Sequence, residues 1–380
     1  VRTSWKWSAA VLAVGLVVAG AGQAGAADEG RVVGWVFFDR DGDRGRDTDE
    51  PPRVGASVTV RGVGSGVERT GVTDGEGRFE VAGLPLGAYD VTASAAGYRS
   101  LDASSRRVEL ADATPVNAWF PQQGGEISGR AWLDADGDGV REGGESAVDT
   151  TFTLIGHSDH EGTVLRALPS GGGQYAFHDL PAGTYRVEAA APAGTRATRP
   201  LRGDWRADSN VVGTPLSTPP TRLPVAWWAY DLDAGFAPGS GPLNPGLVNA
   251  LSGWCLDQEY PQGTATTGVG AYHCNGQANQ RWVLRWDSAD TAVVVDELSG
   301  WCLDQEYPQG TATTAVGAWP CNGGANQRWR MERDHYDDTT TLVNALSGWC
   351  LDQEYPQGTV TTGVGAYYCN GQANQRWKFQ

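Results

Sequence analysis

Three times in the last third of this 380-residue chain a carboxylate, an aromatic ring and a carboxamide recur at fixed spacing. The sets are Asp257, Tyr272 and Asn279; Asp304, Trp319 and Asn326; and Asp352, Tyr367 and Asn374. Gln280, Gln327 and Gln375 each follow the Asn directly. A neutral sugar presents vicinal hydroxyls and one face of C–H groups. Holding it needs a carboxylate and an amide to accept and donate hydrogen bonds, and a ring to stack on. No copy has lost a polar position.

These sets ride on a repeat. Residues 247–282 and 342–377 are the same 36-residue string with two changes, Ala265 to Val360 and His273 to Tyr368, and a looser copy runs from Val294 to Trp329. A period of 47 to 48 residues, found three times, implies a closed three-fold object. All six cysteines lie in the copies, two per copy and nineteen residues apart. If each copy folds alike, the pairs are Cys255–Cys274, Cys302–Cys321 and Cys350–Cys369. A zinc site is the competing reading, but the spacing lacks close Cys pairs, and His273 becomes Pro320 and Tyr368 in the other copies.

Cys-Leu-Asp, an aromatic before the second Cys and Gln-x-Trp, repeated in register over residues 245–380, closely resemble ricin B-type lectins and the related family 13 carbohydrate-binding modules. The resemblance implies a β-trefoil. It also implies that Asp and Asn grip sugar hydroxyls, that the ring two before the Cys stacks, that the Gln steadies the Asp, and that Trp282, Trp329 and Trp377 fill the core. The sequence departs from the family in two ways. Gly270, Gly317 and Gly365 replace a polar residue two before the stacking ring, and Trp254, Trp301 and Trp349 are large for an expected surface position. Tyr260, Tyr307 and Tyr355 either wall the sugar pocket or pack the following turn. Galactose-type and xylan-type ligands both stay open.

Residues 30–121 and 124–238 form two copies of another module. Each opens with a strand and an acidic loop, GWVFFDRDGDRGRDTDE and GRAWLDADGDGVREGGE. Each continues into a hairpin, GRFEVAGLPLGAYDV and GQYAFHDLPAGTYRV, with one alternating apolar face. The G-x-F-x-x-x-x-L-P-x-G-x-Y-x-V pattern resembles the B-type immunoglobulin-like modules of Gram-positive surface adhesins (SD-repeat B-like, Cna B-type). It implies prealbumin-like sandwiches that act as stalks. The only lysines, Lys6 and Lys378, lie outside both modules, so the internal isopeptide bond of some relatives cannot form. Asp134, Asp136, Asp138, Glu142 and Glu145 occupy positions 1, 3, 5, 9 and 12 of a calcium loop, with Gly139 at the sharp turn. Asp39, Asp41, Asp43, Asp47 and Glu50 repeat that register, with Arg44 in place of the glycine. Oxygen-only ligands select Ca²⁺, here as a structural clip of lower affinity in the first loop. A solvated acidic turn is the alternative.

The expected fold is therefore all-β: two immunoglobulin-like (prealbumin-like) sandwiches, 30–121 and 124–238, a linker at 239–246, and a trefoil at 247–380. Abundant Gly (53) and Pro (20) agree with it. A net charge of −16 opposes nucleic acid and anionic membranes. Arg2 and Lys6, the apolar run Ala9 to Gly22 and Ala24-Gly25-Ala26 form an export signal over residues 1–26, too short for a good span. Val1 fits a bacterial alternative start codon, and a Leu-Pro-x-Thr-Gly wall-sorting motif is not found. The expectation is a secreted monomeric lectin that binds glycans through up to three sites, not an enzyme. Two alternatives remain: a structural surface protein with inert sites, or an accessory to a glycoside hydrolase system. Hydrolysis itself needs paired carboxylates in a cleft on a large scaffold, and no such segment is left over. His157 and His160 lack a third metal ligand.

Overall fold

The computed structural model describes residues 29–380 except 95, 103–104, 203, 205, 241–244, 260–266, 307–312, 335–338 and 355–360. The export segment and Tyr260, Tyr307 and Tyr355 lie outside the described residues. Among these residues there is no α-helix, only strands and three single 3₁₀ turns. None is a helix long and apolar enough to cross a membrane. The chain divides into two compact units.

Among the described residues the first unit comprises 29–35, 54–93 and 105–119. One sheet orders its strands Glu68–Val72, Ser57–Gly62, Gly87–Ala93 and Arg106–Leu110. Against it, Arg78–Pro85 pairs antiparallel with the strand that starts at Glu29. Period-two alternation sends Val58, Val60, Phe79, Val81, Tyr89 and Val91 inward, each at most 4% exposed. The Leu-Pro-x-Gly-x-Tyr motif has a mechanical reason: Tyr89 donates from its hydroxyl to Pro85 O at 2.7 Å and pins the hairpin turn.

The second unit contains residues 36–53, 94–103 and 120–380. Its own sandwich has one sheet of Gly162–Pro169, Thr151–Ser158, Gly183–Ala189 and Thr221–Leu223. The other holds Gln174–Leu180, Gly125–Leu133, Ala234–Pro238 and Thr195–Ala197. Tyr185 repeats the turn lock, donating to Pro181 O at 2.7 Å. Phe152, Leu154, Phe177, Tyr185, Val187 and Phe236 form its core, all at most 2% exposed.

The C-terminal third is a β-trefoil built from three hairpins. Cys255–Gln258 pairs with Thr267–Tyr272, Cys302–Gln305 with Thr313–Trp319, and Cys350–Gln353 with Thr361–Tyr367. The second strands of these hairpins pair with one another in all three combinations, which closes the cap. Trp282, Trp329 and Trp377 are buried, and each indole N–H donates to the carbonyl of Leu256, Leu303 or Leu351 at 3.0–3.1 Å. The disulfides pair within copies: Cys255–Cys274, Cys302–Cys321 and Cys350–Cys369.

The second sandwich docks on the trefoil through the Pro-rich loop that follows Ala197. Leu201 and Val212 join the trefoil core cluster. Trp286 Nε1 donates to Val212 O at 3.1 Å, Thr214 N donates to Leu284 O at 2.7 Å, and Arg186 Nε donates to Ser288 O at 2.9 Å. Gly213 permits this approach. Its φ is 79°, and a Cβ there would stand 2.6 Å from Leu284 O. Gly213→Val should therefore break the docking, because valine strains a left-handed backbone and collides with a carbonyl. Calorimetry should then resolve separate sandwich and trefoil transitions. A melt unchanged from wild type would count against this seam as a mechanical coupling.

Candidate functional site

Each trefoil copy builds its site from a strand and a 3₁₀ turn. In Cys-Leu-Asp-Gln the flanking Leu and Gln are buried, leaving the Asp half-exposed between them. The turn Ala278–Gln280, like Ala325–Gln327 and Ala373–Gln375, brings Asn and Gln against that Asp. Asn279 Nδ2 donates to Asp257 Oδ1 at 3.1 Å and Gln280 Nε2 to Asp257 Oδ2 at 2.8 Å. The distances are 3.0 and 2.8 Å at Asp304, and 3.0 and 2.8 Å at Asp352. Both carboxylate oxygens are thus oriented by an amide, and each keeps a lone pair for another donor.

The remaining amide atoms decide what each side chain can still offer. Asn Nδ2 uses its second hydrogen on the carbonyl of Gln258, Gln305 or Gln353 at 3.0, 3.3 and 3.1 Å. The Asn therefore offers only Oδ1, an acceptor, where the sequence had implied a group that also donates. The reverse orientation would set that oxygen against a carboxylate. Gln280 is fully engaged: Nε2 also donates to His273 O at 3.0 Å, and Oε1 accepts from Asn275 N at 2.7 Å. Its role is to hold the Asp. Burial pushes the pKa of Asp257, Asp304 and Asp352 up, with the Gln and Asn amides opposing it.

At the middle copy the predicted set lines one cavity of about 490 Å³. Asp304, Trp319 and Asn326 share its wall with Glu306, Asn322 and Gly317. Gly317 is the cross-strand partner of Asp304, as Gly270 is of Asp257 and Gly365 of Asp352. The missing side chain there leaves room beside the carboxylate. Trp319 is 37% exposed, whereas Tyr272 and Tyr367 are half-buried. Asn279 Oδ1 and Asn374 Oδ1 are buried without a partner. Next to Asn326 stands Gly324, where a Cβ would lie 2.5 Å from Asn326 Oδ1, and its counterparts are Gln277 and Gln372. In the middle copy, unlike the outer two, the Asn Oδ1 is not among the buried atoms without a partner.

One expectation changes, and one residue is new. Trp254, Trp301 and Trp349 are not surface residues: each is half-buried against the trefoil core. Trp254 meets His273 with ring centroids 4.9 Å apart, as Trp349 meets Tyr368. Glu306, with its counterparts Glu259 and Glu354, went unremarked in the sequence. The signal was its place two residues after the Asp, which in a strand means the same face.

The two acidic loops share one geometry. Asp39 accepts from Gly42 N and Arg44 N at 2.6 and 2.8 Å, and Asp134 accepts from Gly137 N and Gly139 N at the same distances. Glu50 and Glu145, at position 12, each accept two backbone N–H groups at 2.8 and 3.1 Å. Arg44 takes a φ of 67°, the left-handed conformation that Gly139 holds at 92°. In the second loop, oxygens of Asp134, Asp136 and Glu145 lie within 4.8 Å of one another, as do those of Asp136, Asp138 and Glu142. In the first loop only Asp39, Asp41 and Asp43 converge so, with Asp47 and Glu50 outside the group. Loss of water and the charges of Asp138, Glu145 and Asp136 push Glu142 up. The second loop thus holds two overlapping carboxylate groups that share Asp136, and the first loop holds one. His157 and His160 join no such group among the described residues.

Residues 246–337 match the ricin-type β-trefoil lectin domain, and residues 325–380 match a ricin-type β-trefoil lectin domain-like family. The C-terminal third is of the ricin B type. Residues 125–236 match the SdrD B-like domain, and residues 46–119 the carboxypeptidase regulatory-like domain. Serine-aspartate repeat-containing protein D of Staphylococcus aureus (strain Newman) is 27% identical over 198 residues, which is 47% of this chain and 15% of that protein. The chain thus matches a small part of this curated relative's length. Among solved structures, the designed three-fold symmetric protein ThreeFoil is 31% identical, over 36% of this chain and 96% of that one, with a TM-score of 0.34. The Macrolepiota procera ricin B-like lectin, solved with lactose, is 18% identical over 37% and 96%, with a TM-score of 0.32.

One residue breaks the ricin-type repeat. Asn249 Nδ2 donates to Asn374 O, and Asn344 Nδ2 donates to Asn326 O, both at 2.9 Å. Each of these bonds joins one copy to the site Asn of another. The middle copy has Asp296 in that place. Its Oδ1 accepts from Ser299 N at 2.9 Å, but Oδ2 is buried without a partner. Burial, with Asp257 adding repulsion, raises this carboxyl to about 6. An acid whose folded pKa exceeds its unfolded value keeps its full stability below the unfolded pKa and loses it as pH rises through about 6. Asp296→Asn should therefore stabilise the chain by about 1–3 kcal/mol at pH 7.5 and by little at pH 4. Denaturant melts at the two pH values decide it, and an equal gain at both would refute the ionisation.

Proposed function

We propose that the protein binds carbohydrate non-catalytically, through up to three trefoil sites carried on calcium-stiffened sandwiches, after export from the cell. The observation that carries this reading is the Asp304 carboxylate, clamped by two amides beside an exposed Trp in an open cavity. The polar atoms there combine acceptors, the two Asp304 oxygens, Asn326 Oδ1 and the Glu306 carboxylate, with donors on Asn322 and the Trp319 indole. Such a wall suits a hydroxyl-rich neutral ligand, since each hydroxyl both donates and accepts, while the indole covers a C–H face and the two carboxylates disfavour an anion. The ricin B-type matches over residues 246–380 support the same class of ligand. Repetition adds avidity. Weak single sites on one polymer gain roughly 10²–10⁴ in apparent affinity where geometry allows simultaneous contact.

The experiment is a glycan array followed by polysaccharide pull-down. Asp304→Ala should weaken binding about tenfold or more, the scale of a lost charge-assisted hydrogen bond. Asp257→Ala and Asp352→Ala should cost less, and the triple variant should abolish binding. Acidification should release ligand at a pH higher than a free aspartate would require, because burial raises these carboxyls and protonation removes acceptors. Retained binding by the triple variant would sink the reading.

The sandwiches are read as a stalk whose acidic loops close on Ca²⁺. Bound to the folded state alone, the ion would stabilise by mass action. Its ligands would be Asp134, Asp136, Asp138, Glu142 and Glu145, and Asp39, Asp41 and Asp43. Adding Ca²⁺ after EDTA should raise the melting temperature, and Asp136→Asn should remove most of that rise. Arg44→Gly should strengthen the first loop by relieving a left-handed non-glycine residue, worth about 1 kcal/mol. Melting that is indifferent to both EDTA and Ca²⁺ would leave the loops as plain acidic turns.

A further inference from the structure

The chain carries 45 acidic against 29 basic residues, so a basic side chain can readily find a carboxylate. Two neighbouring arginines have none. Arg199 is exposed and Arg202 half-buried, and neither makes an ion pair or side-chain hydrogen bond among the described residues. Arg202 Nε is buried without a partner. Both line a cavity of about 410 Å³ where the second sandwich meets the first trefoil copy. Arg281, Gln280 and Gln380 are among the other residues of its wall. Arg281 is already engaged, forked on Glu297 at 2.7 and 3.2 Å and donating to Gly276 O at 2.6 Å.

From this geometry we infer that Arg199 and Arg202 form a binding site for an oxyanion carried on a sugar ring, a carboxylate or a sulfate ester. A guanidinium presents paired N–H donors that match two oxygens of such a group. Holding two like charges together, one partly out of water, is unfavourable unless an anion joins them. Burial and the Arg199 charge lower the pKa of Arg202, the direction expected when no counter-charge is present. The cavity has room for a ring-sized substituent. Only the first copy possesses it, because both arginines come from the docked Pro-rich loop and not from the repeat. The site also differs in chemistry from the three Asp-centred ones and does not rest on the carbohydrate reading of those.

The test uses the full chain carrying Asp257→Ala, Asp304→Ala and Asp352→Ala, so that the Asp-centred sites are silent. Titration calorimetry at low ionic strength compares sodium glucuronate, glucose and sodium sulfate. Glucuronate should bind saturably and glucose should not. Arg199→Ala with Arg202→Ala should weaken glucuronate at least tenfold, and rising salt should do the same. Arg199→Glu, at an exposed position, should give the same loss with an unchanged near-UV spectrum. No saturable glucuronate binding, or binding that survives Arg199→Glu, would overturn the site. Sulfate binding as tightly as glucuronate would overturn the sugar-borne source and leave a site for free oxyanions.

Discussion

No trefoil copy can bury its own tryptophan, and everything in the C-terminal third follows from that dependence. A four-residue strand and its hairpin partner make too little core to stand alone. The three copies are joined by buried amide contacts that run in one direction round the ring. Ser299 Oγ donates to Gln258 Oε1, Ser347 Oγ to Gln305 Oε1 and Ser252 Oγ to Gln353 Oε1, each at 2.7 Å. Each bond ties one copy to the next, and the third returns to the first. The three glutamines are wholly buried, so losing any partner strands a polar group away from water.

That closure also fixes the candidate sites. The closing Gln is the residue after the site Asp, and its carbonyl accepts the second hydrogen of the site Asn. Ring closure and site geometry therefore share one strand. The Asn has no freedom to turn, which leaves it presenting only its acceptor oxygen. Rigid acceptors with an adjacent ring suit selection among hydroxylated ligands, because little ordering remains for binding to impose.

Much of this is legible in residue types. The repeat announces the three-fold ring, the Cys spacing its pairing, and the Leu-Pro-x-Gly-x-Tyr motif its hairpin lock, since all are local in sequence. The long-range facts are not. Nothing near Asn279 says which of its amide atoms is free; that depends on a carbonyl twenty-one residues away. Trp254 looks like a surface residue because the strand it precedes is short, and only the closed core gives it something to lie against. Gly213 looks like one more loop glycine until Leu284, from another domain, is set against it. The acidic register is visible in both loops, yet only folding shows that Asp47 and Glu50 stand apart from the other three carboxylates.

Near-identical copies thus acquire unequal surroundings. The outer copies differ by two residues over their 36-residue core, and yet the Pro-rich loop of the sandwich lays its Trp286 and Leu284 contacts on the first, with a buried Asp208–Arg333 ion pair to the middle copy. The middle copy departs where the ring can tolerate it. Ala315 stands in place of Gly268 and Gly363, Gly324 in place of two glutamines, and Trp319 in place of two tyrosines. The first two changes lie beside the Glu306 carboxylate and Asn326 Oδ1, and the third enlarges the stacking face. Asp296 is the exception, since it sits at a joint between copies and leaves its Oδ2 buried without a partner. The ring holds because the other two joints keep their asparagines, and because a single unpaired oxygen costs only part of what a closed core contributes.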